Sequence, residues 1–270
     1  MTGLLNETAR ILSNESIGPR LHLMVLEAPG IAAAVNPGQF VHMKVPGAEE
    51  HILRRPFSIY SRNTENDTLD ILYQEVGSLT RFMPGLVDVN VEMIGPVGNC
   101  WTGALRHSEG ITSHALLVGG GVGAAPLYLL AEALHDAGCA TDVVLGAQTF
   151  EALVARSRYE ALFGCEPFCA TDDGTYGRAG FCTSLVEERL AEGAVSDGKR
   201  YDYLAVCGPE PLMRIVARMG ADYGVYTEVS MEKRMACGIG ACLSCVVDTV
   251  EGKKRSCVDG PIFDAAKVVW

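Results

Sequence analysis

Ala115-Leu-Leu-Val-Gly-Gly-Gly-Val-Gly-Ala-Ala-Pro-Leu-Tyr-Leu-Leu-Ala131 decides how the chain is organised. It lies in a stretch, residues 113–131, with no Asp, Glu, Lys or Arg, long enough to be weighed as a membrane span. Gly119, Gly120, Gly121, Gly123 and Pro126 divide that stretch into a β-like run and a helical one. Residues 115–118 are a short apolar strand, and residues 126–137 carry Leu127, Leu130, Ala131 and Leu134 on one helical face. The reading is a strand, a glycine turn and a helix in a soluble domain. Glycines let backbone approach a phosphate, and a helix N-terminus favours an anion. The run departs from G-x-G-x-x-G, because the third position falls on Ala124. A glycine turn alone does not separate nucleotide binding from ordinary packing.

Downstream, strands at residues 142–146, 167–171 and 203–207 alternate with helices at 157–163, 183–190 and 211–219. This order predicts a mainly parallel sheet covered on both faces. Upstream, residues 20–27, 39–45, 57–61, 68–75 and 87–94 read as short strands. Asn36-Pro37-Gly38, Pro46-Gly47, Asn66-Asp67 and Gly95-Pro96 separate them, so five or six strands predict a small antiparallel barrel. Residues 101–112 read as a polar linker. After Tyr226 the chain turns Gly- and Cys-rich, with few residues for a core.

The chain has 270 residues, 48% of them apolar and 20% charged, enough for more than one packed domain. Lys plus Arg is 22 and Asp plus Glu is 33, a net charge of −11, with no basic stripe. Nucleic acid and anionic membrane are therefore poor partners. Residues 1–20 carry Glu7, Arg10, Asn14 and Glu15 and no apolar run of the signal-peptide type. A reduced, cytoplasmic compartment is expected, with the scattered Cys100, Cys139, Cys165, Cys169, Cys182 and Cys207 as free thiols among apolar neighbours.

The other four of the ten cysteines, Cys237, Cys242, Cys245 and Cys257, share one segment with the spacing C-x4-C-x2-C-x11-C. Gly238 and Gly240 give the loop freedom to wrap a centre and aim its N–H groups at sulfur. The order is that of a plant-type 2Fe–2S site, although the fourth cysteine comes sooner, so a smaller surrounding fold is expected. A four-cysteine zinc site and a set of unliganded thiols are the alternatives. Zinc sites of this kind usually show two C-x2-C pairs, and this segment has one.

Arg55-Pro56-Phe57-Ser58 closes a strand. An Arg and a Ser three apart suit a pyrophosphate, and the aromatic between them can stack on a ring. An Arg-Pro turn with a core Phe is the plainer reading of the same residues. Pro37-Gly38-Gln39-Phe40-Val41 lies upstream, Gly77-Ser78-Leu79-Thr80 lies downstream before a short helix, and Gly95-Pro96-Val97-Gly98-Asn99 closes the barrel. Together these resemble the flavin domain of the ferredoxin–NADP reductase superfamily, whose R-x-Y-S motif holds FAD. Phe57 stands where that motif often has Tyr, and Leu79 where related electron-transfer subunits usually have Gly.

Thr171-Asp172-Asp173-Gly174-Thr175-Tyr176-Gly177, Gly146-Ala147-Gln148 and Cys207-Gly208-Pro209-Glu210-Pro211 resemble the nucleotide-domain segments of the same superfamily. In it the C-G-P thiol approaches the contact between nicotinamide and flavin. A buried strand-end thiol is the plainer reading of Cys207, and a solvated turn that of Asp172 and Asp173.

Over essentially all its length the chain resembles the electron-transfer subunits of class 1B dihydroorotate dehydrogenase. The most specific stretches are Met231-Glu-Lys-Arg-Met-Ala-Cys-Gly-Ile-Gly-Ala-Cys-Leu-Ser-Cys245, Cys257-Val-Asp-Gly-Pro-Ile-Phe263 and the ending Val268-Val-Trp270. The small subunits of NADH-dependent ferredoxin–NADP reductases and sulfide dehydrogenases are similar, but usually carry Asp for the first cluster cysteine. Cys237 favours the dihydroorotate reading.

The resemblance implies a multi-domain β plus α/β protein. Residues 1–101 would be an antiparallel FAD-binding barrel, residues 113–226 a parallel α/β NAD-binding domain and residues 227–270 a small 2Fe–2S region. It assigns FAD to Arg55, Pro56, Phe57, Ser58, Leu72, Tyr73, Gln74, Gly77, Leu79 and Thr80. It assigns NAD(H) to Gly119, Gly120, Gly121, Gly123, Asp173, Gly208 and Pro209, the cluster to Cys237, Cys242, Cys245 and Cys257, and a place beside the hydride path to Cys207. The implied function is an oxidoreductase subunit in pyrimidine biosynthesis. Electrons would pass from an FMN-containing dihydroorotate-oxidising subunit through the cluster and FAD to NAD, in a heterotetramer of two copies of each chain. Ile239, Leu243, Ile262, Phe263 and Trp270 are candidate partner contacts or local packing. The absence of a basic cluster within residues 146–155 favours NADH, although Arg156 and Arg158 follow closely.

Overall fold

The computed structural model describes residues 3–48 and 51–270. Residues 1, 2, 49 and 50, including the start of the expected first domain, lie outside the described residues. The first sheet is built from β1 (Leu5–Gly18), β2 (Leu21–Glu27), β3 (Phe40–Lys44), β4 (Arg55–Ser58), β5 (Ser61–Asn63), β6 (Thr68–Gln74) and β7 (Asn90–Val97). Helices α1 (Pro29–Ala34) and α2 (Ser78–Phe82) fill the gaps after β2 and β6. The seven strands run in the order β4-β3-β7-β1-β2-β6-β5, every neighbour antiparallel. The sheet curls round a core that includes Ile11, Met24, Val41, Met43, Phe57 and Ile71.

The sequence reading missed β1, the longest strand. Its fully buried positions are only Ala9, Ile11 and Asn14, and most of the rest is polar. Asn14 is buried because its amide donates to the Met83 carbonyl at 2.8 Å and accepts from the Tyr73 hydroxyl at 3.0 Å. A buried amide with both ends bonded carries little burial penalty.

Residues 101–112 are no loose linker. They hold α3 (Gly103–Ser108) and a buried Trp101 whose ring N–H donates to the Pro126 carbonyl at 3.0 Å. The second sheet follows: β8 (His114–Gly120), α4 (Ala125–Asp136), β9 (Ala140–Ala147), α5 (Arg156–Phe163), β10 (Phe168–Thr171), β11 (Arg178–Ala179), α6 (Thr183–Glu192), β12 (Tyr203–Cys207), α7 (Glu210–Tyr223) and β13 (Tyr226–Ser230). Its order is β11-β10-β9-β8-β12-β13, all parallel, with Ile262–Asp264 added beyond β13. Every residue of β8 is buried, as a central strand covered on both faces requires. Leu127, Leu130 and Leu134 of α4 bury fully against it, each worth about 1.5–3 kcal/mol of apolar burial. The chain leaves β8 on one side for β9 and returns on the other as β12. The carboxyl ends of these three strands therefore flank a topological switch point, where open α/β sheets bind ligands.

The expected boundary at residue 226 falls inside a buried strand. β13 belongs to the second sheet, and its Glu228, 3% exposed, accepts from the Thr102 N–H and hydroxyl and from the Tyr203 hydroxyl at 2.6–2.9 Å. The cysteine region then forms a hairpin of β14 (Val246–Thr249) and β15 (Gly252–Arg255), and β16 (Ile262–Asp264) pairs antiparallel with β13. The last region is thus stitched to the second sheet. Asn99 ties it to the barrel as well, donating to the Asp259 and Ile262 carbonyls and accepting from the Ile262 N–H at 2.8–3.1 Å.

Ile262 and Phe263 are 3% and 8% exposed and pack in the cores, which removes them from the candidate partner contacts. Trp270 packs partly buried against the core of the second sheet. Two scattered cysteines depart from expectation: Cys165 is exposed and Cys100 half-buried. Among the described residues no helix is long and apolar enough to cross a membrane.

Candidate redox site

The cysteine loop is a tight turn of chain between β13 and β14. Cys245 and Cys257 are buried, with their sulfurs 3.3 Å apart. Cys237 pairs with Cys242, and Cys257 feels the charge of both Cys245 and Cys237, so the four thiols form one group made of two pairs. Burial raises the Cys237 pKa, but the backbone N–H groups of Ile239, Ala241 and Cys242 and the Cys242 thiol outweigh it and bring the pKa to about 6. Cys257 is pushed up to about 12 by burial and by Cys245 beside it, against the backbone of Gly240. N–H groups aimed at sulfur are what a thiolate-bound cluster needs, and two pairs of thiolates suit two irons. No three His, Cys, Asp or Glu side chains among the described residues are arranged around one ion. The donor set, four thiols in two pairs, fits a two-iron cluster.

The loop rests on the barrel. Phe40 and Val97 pack with Met235, Cys245 and Cys257. Gly238, at φ +70°, lies so close to His42 of β3 that a Cβ there would come within 2.5 Å of Nδ1. His42 is fully buried with no side-chain partner at either ring nitrogen, and the backbones of Arg54 and Cys237 act on the ring as hydrogen-bonding groups. Burial, with Arg54 and Arg55 nearby, lowers its pKa.

The flavin candidates line the neighbouring strands. Arg55–Ser58 is β4, paired with β3 so that Phe40 faces Ser58, Val41 faces Phe57 and His42 faces Pro56. Arg55, Pro56 and Ser58 are half-buried, while Phe57 is 8% exposed and turned into the barrel core, edge-on to Tyr73 at 6.2 Å. Leu72, Tyr73 and Gln74 end β6, and Gly77, Leu79 and Thr80 lie at and within α2. The Thr80 hydroxyl accepts from the Val76 and Gly77 N–H groups at 2.9–3.0 Å, so it shapes the turn.

The glycine turn and the C-G-P segment meet at the switch point. A Cβ on Gly123 would come within 2.6 Å of the Cys207 carbonyl oxygen and of Gly208 Cα, and one on Gly120 within 3.1 Å of Pro209. A small cleft here is lined by Gly119, Gly121, Leu145, Gly146, Leu153 and Ala155. Sequence reasoning missed Leu153 and Ala155, which carry no chemical signal. Cys207 is 1% exposed, and burial together with the charge of Glu232 pushes its thiol far above the ordinary range. Asp173 spends its carboxylate on its own turn, accepting from the Thr175 N–H and hydroxyl, which lower its pKa.

Arg156 and Arg158 are already engaged. Arg156 pairs with Glu160 and Glu166 and stacks on Tyr176, and Arg158 pairs with Asp70 across the two sheets.

This geometry matches known proteins. Residues 232–269 match the iron–sulfur cluster binding domain of dihydroorotate dehydrogenase B, and residues 117–218 an oxidoreductase NAD-binding domain. The chain is 37% identical over 262 residues to "Dihydroorotate dehydrogenase B (NAD(+)), electron transfer subunit" of Bacillus velezensis, covering 96% of each. The chain belongs to this family. The Geobacillus kaustophilus subunit of the same name is 36% identical over 270 residues, covering 97% of this chain and 98% of that one. Among solved structures, the chain resembles one described as an NADH-dependent reduced ferredoxin–NADP oxidoreductase. The TM-score is 0.83 at 26% identity, over 97% of this chain and 89% of that one. A Neisseria gonorrhoeae ferredoxin NADP+ reductase shares the fold at TM-score 0.66 and 15% identity, over 84% of this chain and 99% of that one. The cysteine region of the chain packs against both of its other parts.

Proposed function

We propose that the chain carries electrons between an FMN-containing catalytic subunit that oxidises dihydroorotate and NAD, within pyrimidine biosynthesis in the cytoplasm. The observation that supports it most is the cysteine group: two thiol pairs inside a family-specific loop, set against the strand beside the flavin motif. FAD, when bound, exchanges the two electrons of a hydride for single electrons, and a 2Fe–2S cluster carries them one at a time.

The residues divide the work. Cys237, Cys242, Cys245 and Cys257 hold the cluster. Arg55 and Ser58 hold the flavin phosphates, with Pro56, Phe57 and residues 72–74 as its wall and Gly77, Leu79 and Thr80 as its phosphate turn. Gly119, Gly120, Gly121 and Gly123, with Gly208, Pro209 and Asp173, admit the dinucleotide. Cys207 stays a neutral thiol beside the hydride path and moves no proton. The engagement of Arg156 and Arg158 removes the cations nearest a 2′-phosphate, which supports NADH.

The partner would dock over the cysteine loop. Leu243 stands between two cluster cysteines, 64% exposed and at φ +57°, and Ile239 is 52% exposed. An apolar side chain held outward in a strained conformation suits a contact surface.

An anaerobic visible spectrum titrated with NADH, with iron, zinc and flavin analysis, tests the assignment. About two irons and one FAD per chain, bleached by NADH, are expected. A colourless protein with zinc overturns it.

A further inference from the structure

The outer face of β3 is the wall on which the cysteine loop sits. Side chains alternate along a strand. Val41 and Met43 enter the barrel core with Phe57, while Phe40 packs against Met235, Cys245 and Cys257. His42 shares the outer face with Phe40, and their cross-strand neighbours are Pro56 and Ser58 of the flavin motif. One strand face thus touches the flavin strand along its edge and the cysteine loop above it.

His42 stands out within that face. Its imidazole is fully buried with no side-chain partner, only the Arg54 and Cys237 backbones act on the ring as hydrogen-bonding groups, and Nδ1 lies against Gly238, the residue after the first cluster cysteine. An imidazole carries at least one N–H in any protonation state, and a buried donor is costly to leave unused. An apolar residue would fill the same space without that demand, so a donor held beside the Cys237 backbone needs a reason. The cysteine side, where Gly238 leaves room by having no Cβ, is where the ring points.

We propose that His42 is a positioning residue for the electron path, whose imidazole N–H serves the edge of the cluster at Cys237 and strengthens its hold on an electron. Reduction adds negative charge to the cluster, and a donor beside its sulfurs stabilises the reduced form, raising its potential. The inference rests on the iron–sulfur reading above.

Two measurements on the full-length holoprotein test it. In redox titrations followed by EPR, His42→Leu removes the donor and lowers the cluster midpoint by the equivalent of about tenfold in the one-electron equilibrium, about 59 mV. His42→Gln keeps an N–H and recovers most of that shift. Pulsed EPR of the reduced wild-type protein, isotopically labelled in its histidine ring nitrogens, needs no substitution to fold. A nitrogen coupling that changes with the label is expected. A protein with no reducible cluster signal overturns the iron–sulfur reading and this inference with it. A normal cluster signal indifferent to the label, or equal midpoints in wild type and His42→Leu, overturns the role of His42 alone.

Discussion

The Arg158 guanidinium, on α5 of the second sheet's layer, lies 2.5 Å from the Asp70 carboxylate on β6 of the barrel. The same guanidinium donates to the Ser61 hydroxyl at 2.7 Å and lies 4.6 Å above the Tyr60 ring. Asp70 is mostly buried, while Arg158 keeps 35% of its side chain exposed. This side chain helps fasten the barrel to the nucleotide domain, beside the Tyr60–Tyr128 ring contact.

Removing it loosens that junction. Arg158→Ala leaves Asp70 with only the Ser61 hydroxyl, and solvent screening holds the cost to about 1–2 kcal/mol. A double-mutant cycle with Asp70→Asn, read by thermal unfolding, gives a coupling of that order. The NADH-to-NADPH preference stays unchanged, because the guanidinium serves the domain junction. A shift of preference towards or away from NADPH in Arg158→Ala contradicts this.

Gly123 and Gly121 separate two kinds of glycine. Gly123→Ala forces a methyl to within 2.6 Å of the Cys207–Gly208 backbone, which has no side chain to yield. A loss of about 1–3 kcal/mol and a raised KM for NADH are expected. Gly121 has open space around its Cβ position but φ +56°, so Gly121→Ala costs only backbone strain, about 1 kcal/mol. Chemical denaturation of the two variants, with NADH:dye kinetics, checks the order.

Much of the chemistry was legible in sequence because it is local. The four cysteines fall within one short segment, and the glycine turn follows its strand directly, so spacing alone located both. What escaped depends on distant partners. β1 looked polar because Asn14 is satisfied by Tyr73 and Met83, which come from far along the chain. β13 fell beyond the expected boundary because the chain after Tyr226 read as Gly- and Cys-rich with little core, yet Thr102 and Tyr203 bury its Glu228. Ile262 and Phe263 looked available because nothing local shows that β16 joins the second sheet. His42 lies in residues 39–45, which read only as a short strand, since only the docked cysteine loop makes its outer face an interior.

The buried thiols and phenols set an alkaline limit. Burial raises Cys182 to about 11 and Cys169 to about 12 from 9.0, and Tyr73 to about 12 from 10.0. Each folded pKa lies above its unfolded value. The stability they hold is full below pH 9 and is lost as pH rises through 11 and 12. Thermal midpoints measured against pH should be flat from neutrality to about pH 9 and then fall. NADH oxidation should likewise show no inflection at the ordinary thiol pKa, since Cys207 is held neutral.

The cluster and the flavin separate by mutation. Under the proposed assignment Cys245→Ser removes a buried cluster ligand, so iron content falls while NADH:dye reduction through the flavin persists. Leu243→Asp, at an exposed position, keeps iron and dye activity but weakens association with the catalytic subunit at least tenfold, about 1.4 kcal/mol. Iron analysis and binding measurements on the two variants distinguish a lost centre from a lost surface.

The most direct test is electron transfer in the assembled enzyme. The chain, loaded with FAD and iron, is combined with its FMN-containing catalytic subunit and given dihydroorotate and NAD under anaerobic conditions. NADH should form only when both subunits are present, and Cys245→Ser should abolish it. NADH formation by the catalytic subunit alone, or by the complex carrying Cys245→Ser, contradicts the account.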